Sequence, residues 1–280
     1  MIAGLEETGP FSAKRCDSYL GTSAGSIVAA MLSAGVDTRS RLEDLPEPPP
    51  SEEAEEAAAL PAPSRALRLG ASVAGAAAGP LASVWLRASA PGGRLLRRAA
   101  LARVPEGPRS LDDLGKAVRD SGASWDGRLR ISAVELERGR RVIFDGSEDP
   151  AVSVAEAVQA SCAIPGVFRP VILDGRSYVD GGAWSPTNMD AAEVRRGSRV
   201  LCLVPTAALR PARGSPFGAL GPVSRSVAAI EAAALRRRGA EVQVVSPDRE
   251  SVAAMGGNLM DPSRRSRVVA AGLAQGQRLS

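Results

Sequence analysis

The sequence predicts an α/β fold, a sheet with helices packed on it and one helical insertion. Segments typical of strands alternate with segments of helical periodicity along the 280 residues. Apolar residues make up 44% of the chain, which is enough for a sizeable core. One stretch, residues 41–109, interrupts this pattern. We therefore expect a single domain over residues 1–280 that carries an insertion.

The N-terminal elements are expected to be a short helix, a strand, a tight turn and a second helix. The first helix ends at Gly9, and residues 15–20 lead into the strand. Residues 24–34 carry apolar side chains at helical spacing, and Gly35 ends that helix. A Gly/Ser-rich turn, residues 21–25, therefore joins a strand to a helix.

The insertion has two parts with different compositions. Residues 41–64 are rich in proline and glutamate, and we expect a flexible loop there. Residues 65–109 are rich in alanine, glycine and arginine, and we expect cap helices over a cleft. The uncharged residues 69–86 approach the length of a membrane span, but they are mostly Ala, Gly and Ser with Pro80, so we reject a span. The alternative is an interfacial helix with Trp85 at the depth of lipid headgroups.

After the insertion, cap and turn signals predict the remaining elements. Ser110 and Asp113 begin one helix, and Ser153 with Glu156 forms a capping box for another that ends before Pro165. The Asp174-Gly175 pair predicts a hairpin turn. The expected strands are residues 129–134, 141–144, 171–173, 178–179, 200–204 and 241–245. The expected later helices are residues 223–238 and a last helix that begins at Asp261-Pro262.

Composition excludes several classes of chemistry. The chain contains no histidine, which removes Ser-His-Asp and Cys-His mechanisms and every site that needs a histidine ligand. Cys16, Cys162 and Cys202 are too far apart in sequence for a metal site, and we expect buried free thiols, no metal and no cofactor. With 3% aromatic residues and only two lysines, a nucleic-acid partner is disfavoured. The N-terminus lacks a secretory pattern, so we expect a cytoplasmic protein, with peripheral membrane contact as an alternative.

The first motif with a chemical meaning is Gly21-Thr22-Ser23-Ala24-Gly25, a G-x-S-x-G between a strand and a helix. Such a turn holds the serine in a strained conformation, and we expect Gly21 and Gly25 to provide clearance where strand and helix meet. Ala24 would offer a backbone N–H at the helix N-terminus for developing negative charge. The alternative interpretation is an ordinary Gly/Ser-rich turn.

The second motif is Asp180-Gly181-Gly182, after a short strand. By itself it is equally typical of a turn whose Asp caps its own backbone. Without histidine, however, a serine hydrolase needs a buried carboxylate as its base. Burial of Asp180 would raise the pKa of its carboxyl, and the two glycines would let the backbone pass close to the serine turn.

Together, these motifs and residues 160–170 (ASCAIPGVFRP) resemble the patatin-like phospholipase family, in the same order along the chain. The resemblance implies a three-layer α/β/α fold with a central, mostly parallel sheet and a helical cap. It also implies a dyad of Ser23 as nucleophile and Asp180 as base. The reaction would be hydrolysis of acyl esters of phospholipids, lysophospholipids or neutral lipids.

One departure from the family pattern concerns the oxyanion hole. The family usually carries a Gly-rich loop one helix upstream of the serine turn, and Met1 falls inside that helix. We expect the true start to lie upstream. The alternatives are a catalytically impaired protein that binds lipid or a membrane surface, and a soluble small-ester or thioester hydrolase. The expected partner is a lipid or acyl-ester substrate, and the sequence predicts no oligomeric state.

Overall fold

The computed structural model describes residues 1–40, 94–148, 150–208, 220–256 and 261–279. The predicted loop at 41–64 and most of the predicted cap at 65–109 lie outside the described residues, so both stay predictions. The described α-helices are α1 Ile2–Thr8, α2 Ala24–Ser33, α3 Arg94–Leu101, α4 Asp112–Asp120, α5 Val154–Cys162, α6 Leu220–Arg237, α7 Arg249–Met255 and α8 Arg265–Arg278. The strands are β1 Tyr19–Thr22, β2 Leu129–Glu135, β3 Arg140–Phe144, β4 Val171–Leu173, β5 Arg176–Asp180, β6 Arg199–Leu203 and β7 Glu241–Val245.

The main sheet is mixed, so the expectation of a mostly parallel sheet is wrong for the described strands. Only β1 pairs with β2 in parallel, whereas β2–β3, β2–β5 and β4–β5 are antiparallel. The reason is local. Short connections reverse the chain after β2 and after β4, and the second is the predicted two-residue turn, with Asp174 at φ 48° and Gly175 at φ 69°.

Two strands share one edge of β2 and meet end to end. Because β3 pairs with residues 131–135 of β2, it occupies one whole edge of that region. On the other edge, β1 pairs with the first half of β2 and places Thr22 opposite Ser132, while β5 pairs with the second half and places Asp180 opposite Ala133. The ends of β1 and β5 therefore converge at neighbouring positions of β2.

Helices cover both faces of this sheet, which gives the expected three-layer α/β/α arrangement. On one face, α2, α4 and α5 bury a core against β2 that includes Ile131 and Phe144. On the other face, Leu101 of α3 packs against Val134 and Val179. A separate parallel pair, β6 and β7, packs against α6 through Leu235.

The local signals read from the sequence are confirmed at several element ends. Ser153 and Glu156 form both hydrogen bonds of the predicted capping box of α5. The last helix differs from the prediction in where it begins. Asp261 accepts the N–H of Ser263 at 3.0 Å at the start of a one-turn 3₁₀ helix, Pro262–Arg264, and α8 begins only after that turn. Within the described ranges, none of the helices combines the length and the apolar character that crossing a bilayer requires.

Candidate active site

Ser23 sits in a strained turn between β1 and α2. Its backbone has φ 52° and ψ −129°, a region that non-glycine residues rarely adopt and that costs on the order of 1–3 kcal/mol. Three hydrogen bonds hold it there. The Ser23 carbonyl accepts from the N–H of Ser26 at 2.8 Å and from its hydroxyl at 2.7 Å, and the Ser23 N–H donates to Ser161 Oγ at 2.9 Å. The strain predicted from the motif is present, and these three hydrogen bonds stabilise the strained backbone.

The two glycines of the serine turn differ in their need for clearance. A Cβ on Gly21 would lie 2.7 Å from the carbonyl oxygen of Gly25 and 2.7 Å from the nitrogen of Ser26, both backbone atoms. For Gly25 the prediction of a close approach is wrong, because no atom of the described residues lies within 4 Å of a Cβ built there. The strand therefore approaches the helix at Gly21, not at Gly25.

Asp180 ends β5 and is buried, with 5% of its surface exposed. Its N–H donates to the Ala163 carbonyl at 2.9 Å, and the N–H of Gly182 donates to Asp180 Oδ1 at 2.6 Å. A Cβ on Gly181 would lie 2.5 Å from the carbonyl oxygen of Ser132, so the chain passes close to β2 there. The predicted close passage is thus present, but against β2, the strand beside the serine turn.

The structure brings the Ser23 side chain close to the Asp180 carboxyl, near enough to lower the pKa of that carboxyl. Burial is the larger effect and raises the pKa of Asp180 from 3.8 to about 6, although the Ser23 side chain and the hydrogen bond from the Gly182 N–H oppose that rise. A carboxyl with this pKa is ionised at neutral pH and is a stronger base than an exposed aspartate.

Two further groups lie near Ser23 and Asp180. Ala24 is the first residue of α2, so its N–H belongs to the helix end that attracts negative charge. Cys162 lies near Asp180, and burial together with that carboxylate raises the pKa of the Cys162 thiol to about 12. The thiol is therefore protonated at neutral pH and is a poor nucleophile there.

Several residues around the pair escaped the sequence analysis. Ser161 appeared in the sequence analysis only as part of the block at 160–170, whereas its hydroxyl oxygen accepts the N–H of Ser23 at 2.9 Å. Asn188, fully buried and in the left-handed conformation at φ 50°, contacts both Thr22 and Gly181 through its amide. The only local signal for Ser161 was its place in the block at 160–170, and Asn188 had none beyond its proximity to Asp180 in sequence.

A metal centre is not apparent in the described ranges. There, no three side chains of the His, Cys, Asp and Glu types come together in a way that could hold a metal ion.

The family model for the patatin-like phospholipases matches residues 2–193, more than half of the 280-residue chain. The matched range includes Ser23, Asp180 and the elements that carry them, namely β1, α2, β2 and β5. With this match, the chain belongs to the patatin-like phospholipase family.

Proposed function

We propose that this protein is a lipid acyl hydrolase that uses Ser23 as nucleophile and Asp180 as its proton acceptor. The observation that carries the proposal is the convergence of Ser23, in a strained turn after β1, and the buried Asp180 carboxyl at the end of β5, in a chain without histidine. Membership of the patatin-like phospholipase family points to lipid esters as the substrate class.

The first half of the reaction forms an acyl-enzyme. Ser23 Oγ attacks the ester carbonyl carbon while its proton moves to the Asp180 carboxylate. The carbonyl oxygen becomes an oxyanion, and the N–H of Ala24 at the start of α2 is one donor that could stabilise it. When the tetrahedral intermediate collapses, the C–O bond to the alcohol breaks, and the leaving alcohol takes the proton from Asp180. An ester between Ser23 and the acyl group remains.

The second half releases the acyl group. Asp180 accepts a proton from a water molecule as that water attacks the acyl carbon. Collapse of the second intermediate breaks the bond to Ser23 Oγ, which regains the proton from Asp180. The net reaction consumes one ester and one water and yields one alcohol and one carboxylic acid, with both side chains restored.

Covalent labelling tests the nucleophile. We expect a fluorophosphonate probe to label the protein and to leave the Ser23→Ala variant unlabelled, because the Ser23 side chain lies in a strained turn beside the Asp180 carboxyl. Ser18→Ala is the matched control, since Ser18 is exposed and only five residues upstream; it should be labelled like the native protein. Absence of labelling in the native protein would instead favour a lipid-binding role without turnover.

Substrate comparison tests the acyl class. Release of fatty acid from phospholipid, lysophospholipid and neutral-lipid dispersions should depend on Ser23, as should hydrolysis of a short-chain nitrophenyl ester. A Ser23-dependent rate confined to the short ester would overturn the lipid assignment and favour a small-ester hydrolase.

The pH dependence of the reaction tests the base. Because Asp180 must be ionised to accept the proton, kcat/KM should fall about tenfold per pH unit below the pKa of about 6. The plateau should lie above pH 7. A profile without an acid limb between pH 5 and 7 would argue against Asp180 as the proton acceptor.

A further inference from the structure

The two catalytic segments end side by side without a backbone ladder between them. Thr22 pairs with Ser132 and Asp180 pairs with Ala133, so both segments are fixed to β2 rather than to each other. The distance between Ser23 and Asp180 therefore depends on contacts that bridge the two strand ends. General base catalysis requires this distance to stay within hydrogen-bond reach.

Asn188 provides such a bridge. Its Nδ2 donates to Thr22 Oγ1 at 3.1 Å and to the Gly181 carbonyl oxygen at 3.1 Å. Thr22 precedes Ser23 and Gly181 follows Asp180, so one side-chain amide contacts the residue adjacent to each member of the dyad. The Thr22 hydroxyl also pairs with Ser132 Oγ at 2.8 Å, which connects the bridge to β2.

Asn188 is itself held in place from several directions. It is fully buried in the left-handed conformation, and its Nδ2 also donates to the Ser185 carbonyl oxygen at 2.7 Å. Its N–H donates to Ser185 Oγ at 3.0 Å, and that hydroxyl donates to Glu231 Oε1 at 2.6 Å. Glu231 also accepts the N–H of Met189 at 2.8 Å, so α6 fixes the residues on both sides of Asn188.

We propose that Asn188 is a positioning residue, whose side-chain amide sets the separation of the Ser23 and Asp180 segments and thereby keeps the dyad in contact. The inference deepens the proposed function and depends on it. An amide suits this position, because its two N–H groups face three oxygens, namely Thr22 Oγ1 and the carbonyl oxygens of Gly181 and Ser185. A carboxylate there would face those oxygens with lone pairs, and an apolar side chain would leave them without this partner.

The Asn188→Gly variant tests the proposal, because glycine tolerates the left-handed backbone and removes the side chain that carries the amide. We expect kcat for a nitrophenyl ester to fall roughly ten- to a hundredfold at equal concentration of folded protein, with little change in KM. We also expect the acid limb of the pH profile to move to higher pH, since the Ser23 side chain, which lowers the pKa of Asp180, would lie less close to it. Lost packing alone would not move that limb.

Asp174→Gly is the matched control. Asp174 is an exposed left-handed residue at φ 48° in the turn before β5, so the same kind of truncation is made away from the dyad. It should keep the native kcat and pH profile. If Asn188→Gly does not fold, Thr22→Val removes the other end of the bridge and should lower kcat and move the limb in the same direction.

The outcomes separate this inference from the function on which it depends. A native protein without Ser23-dependent turnover would contradict the proposed function. An active native protein, with Asn188→Gly and Thr22→Val both retaining its kcat and its acid limb, would overturn the positioning role alone.

Discussion

Replacement of Asp180 by asparagine should abolish most activity and at the same time stabilise the protein near neutral pH. Asparagine has nearly the same shape, and its Oδ1 can still accept the N–H of Gly182, now 2.6 Å from the carboxylate. It cannot accept the proton of Ser23. We therefore expect kcat/KM to fall on the order of a thousandfold, the range of a lost general base.

The gain in stability follows from the raised pKa of the buried carboxyl. The folded protein binds this proton with a pKa of about 6, against 3.8 as the reference value. As the pH rises between these values, ionisation favours the unfolded state, and the native protein loses up to about 3 kcal/mol. Asparagine does not ionise, so the Asp180→Asn variant does not lose this stability as the pH rises. Its free energy of unfolding, relative to the native protein, should therefore increase by roughly 2–3 kcal/mol between pH 4 and pH 7.

Urea unfolding at a series of pH values, together with ester hydrolysis, measures both effects. Asp174→Asn is the control, since it makes the same chemical change in the exposed turn that leads into β5. It should show neither the loss of activity nor the gain in stability that we expect of Asp180→Asn. An Asp180→Asn variant that is inactive but shows no relative gain above pH 6 would mean that the carboxyl is not desolvated in the folded protein.

The sequence predicted best those features that short segments encode. The strand–turn–helix around Ser23, the capping box of α5 and the hairpin turn at Asp174 each depend on a few consecutive residues. Their signals are local hydrogen bonds and allowed backbone angles, which are the same in any fold. The pairing of Ser23 with Asp180 stays a prediction, and it needed the absence of histidine and the family resemblance in addition to the motifs.

The sequence predicted least well those features that depend on distant parts of the chain. The Asn188–Thr22 hydrogen bond joins residues 166 positions apart, and Glu231 reaches the same loop from α6. Nothing in the neighbouring residues marks such contacts. The expectation of a mostly parallel sheet was wrong because it came from the family resemblance as a whole, whereas β2–β3, β2–β5 and β4–β5 are antiparallel among the described strands.

Gly21 shows how a single position connects the fold to the site. A Cβ there would meet backbone atoms of Gly25 and Ser26 at 2.7 Å, and backbone atoms cannot rotate away as a side chain can. To accommodate alanine, the start of α2 must move away from β1. Ser23 lies between these two elements, so its hydroxyl would move relative to Asp180.

Gly21→Ala should therefore destabilise the protein by about 3 kcal/mol or more, which lies at the upper end for overpacked sites. The remaining folded protein should react with the fluorophosphonate at least about a hundredfold more slowly, the expected cost of an error near 1 Å in the placement of catalytic groups. Urea unfolding and the labelling rate, corrected for the folded fraction, measure the two effects separately.

Gly25→Ala is the matched comparison, because both changes add one methyl group to the same turn. In the described part of the chain no atom lies within 4 Å of that methyl position, and alanine is the better helix former in the first turn of α2. We expect the free energy of unfolding of Gly25→Ala to equal the native value or to exceed it by up to about 1 kcal/mol. If instead Gly21→Ala is as stable as Gly25→Ala and labels as fast, β1 and α2 do not approach as closely as the contacts at Gly21 require, and the strained turn is not what places Ser23.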